Sequence, residues 1–157
     1  MSVKVLLVIY IAYIQGRYQL KNPSKYRGDP SNVIYRSSWE LRVQKYLDDH
    51  PSVIWWSSEE IIIPYRDPVT GKVRRYYPDF LTKIKKSDRT SKTLLIEIKP
   101  QYQVDGPKIQ KRKTKKYINE VYTYAVNQAK WKAAKEYCDD RLWEFTVITE
   151  NDLFSGK

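Results

Sequence analysis

Three side chains near the middle of the chain have the types and spacing for phosphoryl chemistry: Asp79 in Tyr77-Pro78-Asp79-Phe80-Leu81, and Glu97 and Lys99 in Leu94-Leu95-Ile96-Glu97-Ile98-Lys99-Pro100. Side chains two apart on a strand share a face at a separation of about 6 to 7 Å. Glu97 and Lys99 therefore emerge together, with Leu94, Ile96 and Ile98 on the other face. A carboxylate and an ammonium in an apolar strand cost desolvation energy, which points to a use for them. Hydrolysing a phosphodiester needs a divalent cation to stabilise charge on the phosphoryl group and to lower the pKa of the attacking water. Hard Mg²⁺, or Mn²⁺ in its place, is held by one or two carboxylates plus waters and substrate phosphate. Asp79 and Glu97 supply such carboxylates, and Lys99 can orient or deprotonate the water and counter developing negative charge. The alternative is a pair of surface carboxylates neutralised by Arg75 and Lys99.

For Asp79 to meet Glu97, the two must sit on neighbouring strands. Residues Lys72 to Lys85 read as one long strand whose alternation puts Arg75, Tyr77, Asp79 and Leu81 on a common face. A Lys-rich turn, Lys85 to Lys92, then feeds a strand from Thr93 to Lys99. Upstream, Val53 to Ser57 leads into a Glu59 to Tyr65 strand closed by Pro64, and Asp67-Pro68-Val69-Thr70-Gly71-Lys72 is a turn. Three sequential strands with short turns predict an antiparallel meander.

A helix opens at Ser37-Ser38-Trp39-Glu40 and runs to about Asp49, with Trp39, Val43 and Tyr46 or Leu47 at helical spacing. Ser37 and Glu40 fit a capping box, in which the Glu reaches back to the N-cap amide. Glu40 also shares a face with Val43, Gln44 and Leu47 and can look inward, so a capping role and a metal role both stay open. A second helix spans about Tyr117 to Cys138, its apolar stripe running through Val121, Tyr124, Ala125, Gln128 and Trp131, with a basic flank that includes Lys132 and Lys135. Asp139-Asp140-Arg141 ends it, and Trp143 to Thr149 is a final strand. The predicted class is α/β: a mixed, mostly antiparallel sheet flanked by helices, in the order α-β-β-β-α-β.

At 157 residues the chain is long enough for one core, and we expect a single domain over residues 16–157. Lysine and arginine number 29 against 18 acidic residues, a net charge of +11, which favours a polyanion such as double-stranded DNA. The densest block, Lys108-Ile109-Gln110-Lys111-Arg112-Lys113-Thr114-Lys115-Lys116, repels itself unless a polyanion is present, and otherwise is a solvated face. Lys111, Arg112, Lys113, Lys115 and Lys116, with Lys130 on the second helix, are the candidate nucleic-acid contacts. Asn127 and Gln128 also read as core or surface positions that can reach substrate.

Residues 16–35 show no period and read as a basic, aromatic arm on the surface, suited to DNA contact or to packing its tyrosines on the core. Before it, Val5 to Ile14 is an apolar run too short to span a membrane, which takes about 20 residues, and no signal-peptidase site follows it. Residues 1–15 are thus an added strand or docking segment, or the product of an upstream start, and no membrane partner is expected. One cysteine, Cys138, and one histidine, His50, exclude a disulfide framework, a Cys-rich metal site and polyhistidine zinc. His50 suits a helix end.

A strand bearing Asp, a variable loop and a strand bearing Glu-x-Lys form the P-D-x(n)-[DE]-x-K pattern, which Pro78-Asp79 and Glu97-Ile98-Lys99 match literally. On these residues the chain resembles the PD-(D/E)XK nuclease superfamily. Within it, the chain is similar to the head-completion nucleases of T-even-like tailed phages, and more distantly to the end-cleaving endonuclease subunit of heteromeric transposases. The closer match rests on Lys25-Tyr26-Arg27-Gly28-Asp29-Pro30, Tyr35-Arg36-Ser37-Ser38-Trp39-Glu40, Ile63-Pro64-Tyr65, Arg74-Arg75-Tyr76-Tyr77-Pro78-Asp79, Ile96-Glu97-Ile98-Lys99-Pro100 and Lys130-Trp131, and covers about Tyr13 to Thr149.

The resemblance implies a restriction-endonuclease-like core in which Glu40 joins Asp79 and Glu97 at the metal, with Lys99 as catalytic lysine. It also implies a late role in virion assembly, in the phage head or the infected host cytoplasm, beside head, portal or neck proteins. Two other functions fit the residues: a DNA-binding head component whose site serves only stability, and a transposase-type or repair nuclease.

Overall fold

The computed structural model describes residues 14–155, so the apolar extension, apart from Ile14 and Gln15, lies outside the described residues. In chain order these form β1 (Gly16–Arg17), a 3-10 turn (Pro23–Lys25), β2 (Ile34–Tyr35), α1 (Ser38–Asp49), β3 (Val53–Ser58), β4 (Ile63–Arg66), β5 (Val73–Tyr76), β6 (Phe80–Lys85), β7 (Ser91–Ile98), α2 (Gln101–Asp105), α3 (Lys115–Asp139), β8 (Glu144–Ile148) and α4 (Glu150–Leu153). The class is α/β, as expected, with antiparallel pairs and flanking helices. None of the described helices is long and apolar enough to cross a membrane.

One compact unit comprises the described residues up to Glu60 together with Asp79–Leu94. The Ser37 hydroxyl accepts the Glu40 N–H at 3.1 Å and starts α1 at the expected place. Trp39, Val43 and Leu47 are buried on the face that packs on β3. β3 pairs antiparallel with β6, Trp56 opposite Thr82 and Ser58 opposite Phe80, and the opening residues of β7 continue the order β3-β6-β7. Trp56 and Phe80 meet edge to face, ring centroids 6.2 Å apart, at the centre of this core.

The arm of residues 16–35 is more structured than its lack of period suggested. β1 and β2 pair with each other, Tyr18, Tyr26 and Val33 are buried, and Tyr26 lies edge-on to Trp56 at 4.8 Å. Its anchor is Asp48 near the end of α1, whose buried carboxylate accepts the Tyr18 hydroxyl at 2.8 Å, the Lys21 N–H at 2.7 Å and the Asn22 N–H at 3.0 Å. His50 caps α1, its N–H donating to Tyr46 and its Nδ1 accepting the Ser52 N–H.

The second unit comprises Ile61–Pro78 together with the described residues from Leu95. β4 and β5 form a hairpin, Ile63 opposite Tyr76, around a turn in which Asp67 accepts the Val69 N–H and Gly71 takes φ +71°. Pro64 sits inside β4, tolerated because β4 has β5 as its one partner in that sheet and its other edge needs no donor. The closing half of β7 runs beside β8, and α3 packs on β4 and β8. The buried positions of α3 are Asn127, Trp131, Ala134 and Cys138. Burial and the charge of Asp139 push the Cys138 thiol up to about 11.

Three expectations need correction. The long strand from Lys72 to Lys85 is two strands in different sheets, broken over Tyr77 to Asp79 where the buried Pro78 has no N–H to offer a ladder. Asp79 therefore precedes β6 and does not lie within a strand, and a three-strand meander is replaced by a hairpin and a sheet. The stripe on α3 buries Asn127, Ala134 and Cys138, whereas Val121 and Gln128 are exposed. The stretch after Pro100, read as turns, contains the short helix α2, and α4 follows the last strand with a capping box between Thr149 and Asp152.

Candidate active site

Glu97 sits near the end of β7, where Leu95, Ile96 and Ile98 are buried around it, and is itself only 4% exposed. This excludes the surface-carboxylate alternative for Glu97. Lys99 Nζ donates to Glu97 Oε1 at 3.2 Å, the one-step spacing on a strand bringing the two heads together as expected. The Lys99 N–H donates to the Ile148 carbonyl at 3.0 Å, which fixes the backbone just beyond β7. The Lys99 side chain keeps about a third of its surface exposed, so its ammonium faces both the carboxylate and solvent.

The other oxygen, Glu97 Oε2, accepts the Tyr76 hydroxyl at 2.7 Å. Tyr76 ends β5, buried against Ile63 of β4, and Tyr65 lies two residues along the same strand as Ile63. Lys130, from α3, holds its Nζ 5.7 Å from the Tyr65 ring centroid and 5.6 Å from that of Tyr76. An ammonium over aromatic faces is attracted by the ring quadrupole. Burial, and next the charge of Lys99, push the Lys130 ammonium below the ordinary lysine value, with Glu97 and Asp67 pulling the other way. One buried carboxylate and two ammonium groups thus share a small region lined by two tyrosines.

The remaining expected carboxylates belong to the first unit. The Asp79 carbonyl accepts the Glu59 N–H at 3.0 Å just where β3 ends. Glu59 takes φ +54°, a left-handed conformation unusual for a residue with a Cβ. Arg36 donates its guanidinium N–H to Glu59 Oε1 and its backbone N–H to Glu40 Oε2, the latter at 2.8 Å. Glu40 therefore makes half of the expected capping box: its N–H is capped by Ser37, while its carboxylate reaches one residue further back, to Arg36.

Carboxylate oxygens are the donors that Mg²⁺ and Mn²⁺ prefer, so Glu97, Asp79 and Glu40 fit a hard cation by ligand chemistry. Among the described residues, no group of three or more His, Cys, Asp or Glu stands together as a ready metal cage. Glu97 and Lys99 are the part of the expected constellation that the structure brings together.

The basic residues are where a polyanion can reach them. Lys111, Arg112 and Lys113 are exposed in the segment before α3, and Lys115 and Lys116 are exposed in its first turn, behind the Thr114 cap. Lys116 makes a long surface pair with Glu120 at 3.9 Å. Lys130 stands apart from this group, at the tyrosines and Glu97.

Sequence reasoning missed Tyr76, Tyr65, Arg36 and Glu59. Tyr76 had a signal in its place three residues before Asp79, beside an Arg-Arg pair. For the Arg36–Glu59 contact no local pattern existed, since it depends on where β3 ends.

Comparison with known proteins bears on this chemistry. Residues 50–150 match the family model described as TnsA-like endonuclease N terminal. The chain is 40% identical over 142 residues to the head completion nuclease of Enterobacteria phage T4, an alignment covering 88% of this chain and 92% of that protein.

Proposed function

Since the chain belongs to the family of TnsA-like endonuclease N-terminal domains, we propose that it is a divalent-metal-dependent nuclease of the PD-(D/E)XK type that hydrolyses phosphodiester bonds at packaged DNA ends during phage head completion. The observation that carries this reading is the Glu97 carboxylate, buried at the end of β7 and gripped by Lys99 on one oxygen and Tyr76 on the other. In our reading Glu97, Asp79 and Glu40 hold the cation, Mg²⁺ or Mn²⁺. The metal, when bound, supplies Lewis acidity toward the phosphoryl oxygens and a more acidic water.

The chain's own groups do the rest. Tyr76, as a hydrogen-bond donor, fixes the rotamer of Glu97 and leaves its remaining lone pairs free to accept. Lys99, partly turned to solvent, orients the attacking water and offsets negative charge as the phosphorus centre becomes five-coordinate. Lys130 adds a second positive charge behind it. Asp79 follows Tyr76 by three residues, so the covalent chain alone keeps their Cα atoms within about 10 Å, which supports Asp79 as partner to Glu97. Double-stranded DNA is the substrate, drawn by the exposed lysines. Head, portal or neck proteins are the proposed neighbours, in the virion or the infected host cytoplasm.

The direct test incubates the purified protein with linear and supercoiled DNA in Mg²⁺, Mn²⁺ or EDTA. Cleavage with either metal, abolished by EDTA and by Asp79→Ala, is the expected result. No cleavage by a folded protein with either metal, or an Asp79→Ala variant that cuts like the parent, overturns the site.

One observation favours a second reading: both oxygens of Glu97 already have protein donors, as in a purely structural buried pair. A DNA-binding head component of that kind keeps its assembly function in Glu97→Ala and Lys99→Ala and loses it when Lys111 to Lys116 are neutralised.

A further inference from the structure

Within the second unit, α2, the loop after it and the first half of α3 enclose a groove of about 750 Å³, a volume typical of sites for small organic ligands. None of the residues assigned to hydrolysis above lines it. Its walls combine three kinds of group. Tyr102, 63% exposed, and Tyr124 present aromatic surface. Lys108, Lys115 and Lys116 also line it, the last two in the first turn of a 25-residue helix whose N-terminal amides carry partial positive charge. Glu120 is the one carboxylate in the lining, and it is paired to Lys116.

The third group is Asn127. It is 5% exposed, it lines the groove, and its Nδ2 has no hydrogen-bond partner in the protein. Buried amide donors are nearly always satisfied, so an unpaired donor on a residue that lines a groove offers a place for an acceptor brought by a ligand, reached by a turn of the Asn127 side chain. The lining at Gly106 and Tyr124 is firmly shaped. Gly106 has φ +79°, and a Cβ there would come within 2.8 Å of the Tyr124 ring, so the loop closes on this tyrosine only because residue 106 has no side chain.

Aromatic faces, ammonium groups and an unpaired amide donor in one lining match a nucleotide: a flat base with carbonyl or ring-nitrogen acceptors, joined to phosphates. Inside a duplex, base faces are covered by stacking, so only an unpaired base can use such a groove. We propose that this groove holds an unpaired nucleotide of the DNA, its base against Tyr102 and Tyr124 with an acceptor on Asn127 Nδ2, and its phosphates at Lys108, Lys115 and Lys116. The protein then prefers DNA ends that carry a single-stranded extension. The choice of DNA as the source of the nucleotide rests on the nuclease reading; the groove itself does not.

The test is fluorescence anisotropy of the full chain in EDTA, so that binding is read without cleavage. Labelled duplexes of equal length, blunt or carrying a short single-stranded extension, are compared. Base stacking on aromatic side chains predicts that the extension improves affinity on the order of tenfold. Tyr102→Ala, an exposed position that cannot disturb the core, and Asn127→Ala, checked for folding by circular dichroism, should each remove most of this gain and leave blunt-duplex binding within about twofold. Equal affinity of the parent for both duplexes overturns the proposal, as does a loss that is the same for both in the two variants. A free deoxynucleoside monophosphate that displaces the extended duplex as well as a matching single strand does would overturn the DNA assignment in favour of loose nucleotides. Cleavage of both duplexes in Mg²⁺ is scored separately: cleavage without an extension preference in binding refutes the groove alone, and cleavage of neither duplex with the preference intact refutes the nuclease alone.

Discussion

The Tyr76 hydroxyl donates to Glu97 Oε2 at 2.7 Å across twenty-one residues of sequence, tying the end of the β4–β5 hairpin to the end of β7. It gives the buried carboxylate a second anchor beside Lys99 and holds it in one orientation. A hydrogen bond to a charged group is worth about 1.5 to 3 kcal/mol. Tyr76→Phe should therefore destabilise the fold by about that amount in urea denaturation and slow single-turnover cleavage by roughly tenfold, through a mis-set Glu97. Glu97→Gln, which keeps the shape and removes the charge, should slow cleavage by at least about a hundredfold. If Tyr76→Phe cuts at the parent rate, the tyrosine is packing only.

Lys130 gives a prediction in pH. Its folded value is lowered from 10.5, by burial first and by the Lys99 charge next, so the folded state binds this proton more weakly than the unfolded chain does. The resulting destabilisation is fully present at neutral pH, below both values, and lifts as pH rises through the folded value toward the unfolded one. Relative to Lys130→Met, the parent should gain stability between neutral pH and about pH 10. Urea denaturation of both proteins along that series checks it, other titrations cancelling in the difference. A gap that stays constant or widens would contradict the shift.

The exposed Lys111, Arg112 and Lys113 predict a salt effect. Every phosphate that a basic side chain ceases to neutralise should reduce the slope of log affinity against log salt by about 0.9 for duplex DNA. Replacing the three by glutamine should lower the slope by up to about three such steps while leaving the melting temperature unchanged, because all three are solvent-exposed. Titrations in EDTA at several salt concentrations measure it, and an unchanged slope would remove these residues from the interface.

Asp48 predicts a structural effect. Its carboxylate is fully buried and accepts three donors from the arm. Replacing it by alanine leaves the Tyr18 hydroxyl and two backbone amides without an acceptor, a loss of about 3 kcal/mol or more. Limited proteolysis should then cut first within residues 16–35. Parent-like resistance there would show that the tyrosines hold the arm by themselves.

Much of this was legible from residue types. The S-x-x-E start of α1, the turn at Asp67 to Gly71 and the shared face of Glu97 and Lys99 are local features, set by spacing along a helix or strand, and the structure has them as read. Of the arm, the packing of its tyrosines on the core was one of two readings, and Tyr18 and Tyr26 do so; its strand pairing was not legible because what orders it is not local, Asp48 and Trp56 supplying its partners from elsewhere in the chain. The strand break at Pro78 was missed because alternation continues through it, and a periodic pattern cannot tell one strand from two that happen to be in phase. At the site, Lys99 was found by pattern and Tyr76 was not, since a tyrosine amid other tyrosines carries no spacing of its own. Lys130 was noted for charge, while its place over Tyr65 and Tyr76 comes from the packing of α3 on β4.

The two-residue passage through Tyr77 and Pro78 also sets which lengths of chain evolution can vary. Tyr76 is committed to Glu97 and the Asp79 carbonyl to Glu59, so a hydrogen bond ties the chain at each end of this linker. The turns at 67–72 and 86–90 carry no such double commitment, and length changes among relatives should collect there. Aligned members of the family would then show a fixed count from Tyr76 to Asp79 and a drifting count from Asp79 to Glu97, the variable gap in the motif being a record of which loop was free to grow.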